Sequence, residues 1–296
     1  MKNHSQLLIL LFFCLPIYLI AQDNKKVDKA KSYILTDISF QNDAVFMGRR
    51  DSITAPYIVP SIGYYDASGF FADASLSYLT KSNDNRVDLF LLTAGYHFKS
   101  NKLSGALSGT KYFFNDNSYS IQSEIEADIS AILSYDLDIF EASLTASSYF
   151  SKNSNTDFFL GGQLAKSLYT TDKSLEIKPT FNIYAGSQYF YQEYYKYNRV
   201  GNRKGNGNGQ DQLIGTTVVG INEVDEFKLL DIEFSLPINY YYNSFIFSFT
   251  PHLAFPQSSA TITTEDAVIK EDLKEVFYFS AGISYWFNTS KSSSNK

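Results

Sequence analysis

Histidine is the side chain from which acid–base chemistry is most readily built, and this 296-residue chain carries three, His4, His97 and His252. His4 lies in a segment expected to be removed, and the other two fall on different strands. At about 3.3 Å per residue and a tilt of about 45°, His97 and His252 differ by roughly 15 Å in height, too far for one site. No Ser-His-acid arrangement can be picked out around either, so an enzyme is not expected. The single cysteine, Cys14, sits in the same removable segment, which leaves no thiolate for a metal and no disulfide. No cofactor or metal is expected.

The chemistry that remains is that of charge. Asp73, Glu124, Glu126, Asp128, Glu141, Glu176, Asp231 and Glu233 occupy positions whose parity puts them on one strand face, against Lys178 as the base on that face. Small residues share it, among them Ser61, Gly63, Ser75, Ser108, Ser143 and Ser248. A face so small and acidic predicts a space that water can fill, bordered by carboxylates. Arg49, Arg50, Arg199 and Arg203 are the cations that could fold inward to pair with them, since buried charges must find partners.

The elements that position these acids are strands. Phe277, Phe279, Ala281, Ile283, Tyr285 and Phe287 alternate with Tyr278, Ser280, Gly282, Ser284 and Trp286. Ile125, Ala127, Ile129 and Leu133 alternate in the same way with Glu124, Glu126, Asp128 and Ser134, and Leu230, Ile232 and Phe234 with Asp231, Glu233 and Ser235. Each strand thus has one wet and one dry face. The expected strands are 33–47, 57–65, 70–79, 86–98, 103–114, 121–136, 139–150, 157–169, 175–191, 226–242, 245–256 and 276–288. Many reach the nine to eleven residues, or more, that a tilted strand needs to cross a bilayer. Every second connection is short, and those at 192–225 and 257–275 are long. Fold class is therefore expected to be all-β, a transmembrane antiparallel up-and-down β-barrel of about twelve strands, with ten or fourteen as alternatives. A soluble β-sandwich is disfavoured by strand length, loop asymmetry and aromatics clustered at strand ends.

The first residues are consistent with this destination. Lys2 precedes an almost wholly apolar run, Leu7 to Ile20, that ends at Ala21-Gln22, which reads as a signal peptide over 1–22. The run is too short for a spanning helix. A short periplasmic segment, 23–32, then leads into the barrel, 33–288, with a polar tail, 289–296. Full-length formal charge is −6, and cleavage removes only the cation Lys2. An acidic chain is a poor partner for nucleic acid.

Ser280-Ala281-Gly282-Ile283-Ser284-Tyr285-Trp286-Phe287 resembles the C-terminal assembly signal of bacterial outer-membrane barrel proteins, with Ser280, Gly282, Tyr285 and Phe287 at the matching positions. The resemblance implies insertion by the barrel assembly machinery into outer-membrane lipid. It departs from the usual form in running nine residues past Phe287. The Ala21-Gln22 ending is similar to exported proteins of Bacteroidota. Asn206 to Leu213 resembles one copy of a Gly- and Asp-rich calcium repeat, but such repeats work in tandem, and an outside loop is the expected reading.

Localisation to the cell outer membrane is the expectation. The leading function is a narrow channel or small-solute transporter with an acidic lumen, open to a small solute or cation. The alternative is a structural or partner-binding barrel with a plugged lumen, and a membrane-embedded hydrolase ranks third.

Overall fold

A computed structural model describes residues 31–51, 53–151, 155–194, 218–222, 224–264, 268–271 and 273–289. The expected signal peptide, the calcium-repeat-like stretch with Arg199 and Arg203, and the tail beyond 289 lie outside them.

Alternating sequences pair as their periodicity demands. The strands are β1 (Tyr33–Gln41), β2 (Tyr57–Tyr65), β3 (Phe70–Leu79), β4 (Arg86–Ser100), β5 (Leu103–Phe114), β6 (Ile125–Asp136) and β7 (Glu141–Ser151). They continue as β8 (Asp157–Ala165), β9 (Leu168–Tyr169), β10 (Leu175–Ile177) and β11 (Thr180–Gly186). A short helix, α1 (Tyr189–Tyr194), precedes β12 (Val218–Asn222), β13 (Lys228–Ser235), β14 (Ile238–Tyr242), β15 (Phe245–Pro256), β16 (Thr261–Thr264), β17 (Val268–Lys270) and β18 (Val276–Asn288). Three staves of the wall are interrupted: β8 runs on as β9, β10 as β11, and β13 as β14, each pair holding one register against its neighbours. β1 pairs with β2 on one side and β18 on the other, so the antiparallel wall closes as a twelve-stranded barrel without a free edge. β12, β16 and β17 form a small separate sheet.

The short connections share one device. Asn101, Asp138, Lys173 and Asn243 have φ of 53°, 67°, 57° and 54°, the left-handed conformation that a tight hairpin turn requires and that Asn and Asp adopt most readily. At the remaining tight turn Gly69, at φ 104°, lies against the His97 carbonyl, where a Cβ would clash.

The outer wall is apolar. Leu107, Ile129, Leu133, Leu144 and Phe277 all expose about half of their surface or more, reaching 70% at Leu144. A water-soluble protein does not display a continuous belt of this kind. Lipid covers it, and the protein is an outer-membrane barrel.

Three expected strands are shorter at one end. β1 stops at Gln41 rather than 47, β6 begins at Ile125 rather than 121, and the strand expected to run to 191 turns at Gly186 into α1. All three changes lie at the long-loop end. There the chain leaves the wall and folds inward.

Candidate functional site

The interior divides into a packed long-loop end and a polar remainder. At the long-loop end a cluster of Ile121, Ile125, Phe159, Phe190, Tyr191, Tyr194, Ile221, Leu230 and Ala260 is buried, with Phe46, Met47, Tyr112 and Tyr149 packed against it. Phe46 meets Phe159 and Phe190 edge-on at centroid separations of 5.8 and 5.2 Å, the geometry that aromatic quadrupoles favour. Asp157 sets the helix in place. Its carboxylate accepts hydrogen bonds from the amides of Tyr189 (2.8 Å) and Phe190 (2.6 Å) and from Ser187 Oγ (2.6 Å), as an N-cap does.

The segment after β1 is held inside by Arg49. Its side chain is 1% exposed. Nη2 donates to the Ser258 carbonyl and lies 3.5 Å from Glu271, and the guanidinium stacks 4.5 Å from the Tyr191 ring centroid. Next to it, Gly48 at φ 71° abuts Asp231, where a Cβ would stand 2.8 Å from Oδ1. Among the described residues, Arg49 Nε and Nη1 have no hydrogen-bond partner, and neither Asp231 oxygen has a side-chain one. An acid and a base, each buried and incompletely bonded, compensate each other through space where either alone would be costly.

The other acids are held mainly by phenols. Glu233 accepts hydrogen bonds from Tyr278 Oη at 2.5 Å and meets His252 Nδ1 at 3.1 Å, and the His252 and Tyr278 rings stack at 4.4 Å. Asp128 accepts from Tyr112 Oη (2.8 Å) and Ser130 Oγ (2.6 Å). Glu176 accepts from Tyr169 and Tyr241 Oη, both at 2.7 Å, and from Asn239 Nδ2 at 3.2 Å. Asp73 accepts from Tyr65 Oη at 2.8 Å. A neutral phenol satisfies a carboxylate's lone pairs without cancelling its charge, so these acids remain a source of negative field. Glu141 differs, pairing with Lys178 at 3.2 Å.

Asp128, Asp231 and Glu233 therefore stand toward the long-loop end, and Asp73, Glu141 and Glu176 toward the short turns. Glu124 and Glu126 depart from the expected inward strand face. Glu124 lies in the turn before β6. A bulge between Ile125 and Ala127 reverses the alternation there. Ile125 joins the interior cluster, and Glu126 lies 3.6 Å from Lys111, both side chains 46% exposed, on the outer wall. A second bulge, at Tyr184/Ala185 opposite, brings Leu230 inward as well as Asp231.

Further inward acids were not singled out by sequence. Asp37 accepts from Ser284 Oγ at 2.7 Å. Asp88 is buried under Arg86 Nε (2.9 Å), Ser118 Oγ (2.8 Å) and the Tyr57 hydroxyl. Parity alone could have flagged Asp37, which alternates with Ile38.

Ser280, Gly282, Tyr285 and Phe287 lie on the closing strand, where Tyr285 meets Phe245 at 4.9 Å on the outer wall. The two histidines are far from each other in the wall: His97 pairs with Ala106 on β5, and His252 with Ser235 and Tyr278. Across β13 and β15, Ser235 faces His252 while Glu233 bonds it, but no hydrogen bond joins Ser235 to the ring.

No protein-family model and no curated protein matches the chain. Among solved structures it is similar to the KdgM porin (12% identity, 86% of this chain and 99% of that chain, TM-score 0.46) and to the NanC porin (9%, 85% and 98%, 0.47). It is similar also to LpxR from Salmonella typhimurium (12%, 86% and 100%, 0.42).

Proposed function

We propose that the protein is a narrow channel or small-solute transporter of the outer membrane, favouring cations and closed at its outer mouth by its own inward-folded segments. The reading rests on one observation: four of the lumen acids, Asp73, Asp128, Glu176 and Glu233, are held by tyrosine hydroxyls, so their charge persists where arginine partners would have cancelled it. Around them the inner wall carries small polar side chains that stay partly exposed, including Ser61, Ser75, Ser108 and Ser248. A structural barrel with a dry core has no need of such a wall. Rings of carboxylate select cations by lowering their entry energy. Insertion through the C-terminal signal at Ser280, Gly282, Tyr285 and Phe287, after cleavage at about residue 22, belongs to the same proposal.

Purified barrel in a planar bilayer under a KCl gradient tests it. Conductance with a cation-selective reversal potential is expected. Anion selectivity, or no conductance even when the inward segment is released, overturns it.

A second reading is favoured by the packed cluster of Phe46, Phe159, Phe190 and Tyr191, a plug of ordered segments. On that reading the loops bind a partner outside the cell and the barrel is a stand. Silence of both the wild type and the released variants in the bilayer, with saturable binding of a surface ligand, would select it.

A further inference from the structure

Three prolines stand side by side in the wall. Lys166 N donates to the Pro179 carbonyl (3.2 Å), Lys178 N to Pro237 (2.8 Å) and Leu236 N to Pro251 (3.1 Å). In an antiparallel ladder each such rung has a return bond, and proline has no N–H with which to make it. Three consecutive rungs across four neighbouring staves are thus bonded once instead of twice. One gap is patched from the side, since Thr180 Oγ1 donates to the Lys178 carbonyl at 2.9 Å. Lipid offers no hydrogen bonds, which is why spanning strands keep their ladders complete and why proline is otherwise confined to edges. A closed barrel has no edge to confine it to. Pro60 interrupts the β2–β3 ladder on its own, whereas these three shortfalls lie together.

That place is also hollowed. A groove of about 550 Å³ lies over it, lined by Leu164, Phe181, Phe234, Leu253 and Phe277 together with Pro179 and Pro251. The volume is within the usual range of a ligand site. Thr180, Ser235 and His252, whose alternation faces the interior, border the same groove. Behind it stand Glu233, bonded to His252, and the buried Asp231. An apolar groove on the lipid side therefore adjoins an acidic lumen across a run of singly bonded rungs in the wall.

We propose that this proline band is a lateral portal for a single-chain amphiphile with a cationic or uncharged head, its chain lying in the groove and its head turned toward the lumen acids. Lipid surrounds the groove, so hydrocarbon is the chemistry that fills it, and the carboxylates behind disfavour an anionic head. The inference rests on the lumen being water-filled, as the channel reading holds. With the outer mouth packed shut, the portal supplies a route between lumen and bilayer.

The full-length barrel in lipid nanodiscs, titrated with hexadecyltrimethylammonium and separately with palmitate, is examined by native mass spectrometry. One saturable amine adduct is expected, at least tenfold tighter than palmitate, absent in Leu253→Trp and retained in Leu107→Trp elsewhere on the outer wall. Equal occupancy in these two variants, equal affinity for the two probes, or unsaturable binding overturns the proposal. Pro179→Ala with Pro251→Ala restores two missing donors and is expected to slow amine release at least tenfold. An unchanged release rate overturns the portal, including where Leu253→Trp fails to assemble. KCl conductance is read separately: conductance without selective amine binding removes the portal alone, and absence of conductance even when the inward segment is released removes the channel on which it rests.

Discussion

Gly48 lies against Asp231 with room for a hydrogen and nothing larger, and its φ of 71° is one that side chains resist. The contact ties the segment after β1 to the inner face of β13, although 183 positions separate the two residues. Gly48→Val should add a left-handed strain of about 1–2 kcal/mol to the clash. With about 1.4 kcal/mol per factor of ten, the inward position should lose at least tenfold in population. Single-channel recording should show a higher open probability, and an unchanged trace would separate this segment from gating.

Arg49→Gln tests the same closure from its other side. Removing one member of a buried pair costs about 3–5 kcal/mol because the remaining charge is stranded, here Asp231. Conductance should rise, and proteolysis of the segment in intact vesicles should accelerate. Retained protection would show that Phe46 and its aromatic neighbours hold the segment without the charge.

Selectivity should follow the lumen carboxylates. Asp128→Asn, Asp231→Asn and Glu233→Gln combined should shift the reversal potential toward zero. Glu126→Gln, on the outer wall with Lys111, should leave it unchanged. The preference should also shrink at about 1 M salt, where the Debye length is about 3 Å. A triple variant as selective as the wild type would place the selecting charge elsewhere.

Sidedness can be read by labelling. Cysteines at Asp116, in a connection at the long-loop end, and at Asn101, in a tight turn, should differ on intact cells, with an impermeant reagent reaching only the first. Equal labelling would defeat the orientation.

Tyr285→Ser with Phe287→Ser should stop insertion while leaving export intact, giving degraded or periplasmic chain. The loss includes the Tyr285 contacts with Phe245 and Phe287. Normal heat-modifiable barrel in the outer membrane would move the assembly signal elsewhere in the strand.

Strands and short turns were legible in the sequence because each rests on neighbours in the chain. Alternation in β18 and left-handed Asn and Asp at the turns need no distant partner. The site was legible only in part. Ile125, Glu126 and Ala127 read the same on either parity, and a bulge paired against Ser151 and Phe150 decides which way they face. The phenol partners were hidden for another reason. Tyr278 reaches Glu233 from 45 positions away, and Tyr241 reaches Glu176 from 65, so only closure of the ring brings them together. The inward course of residues 42–51 depends likewise on Asp231, Tyr191 and Glu271.

The pairing of β1 with β18 has a consequence in time. Tyr33 is among the first residues of the wall to leave the ribosome, yet its partner Asn288 is among the last. Until then β1 waits with one side of its backbone unpaired, an adhesive edge that lengthens the interval of risk with every strand added. A chain cut short before Val276 would leave two such edges, on β1 and β15, instead of a slightly smaller barrel. The ring makes assembly an all-or-nothing event, and it places the decisive step in the meeting of the first strand with the last.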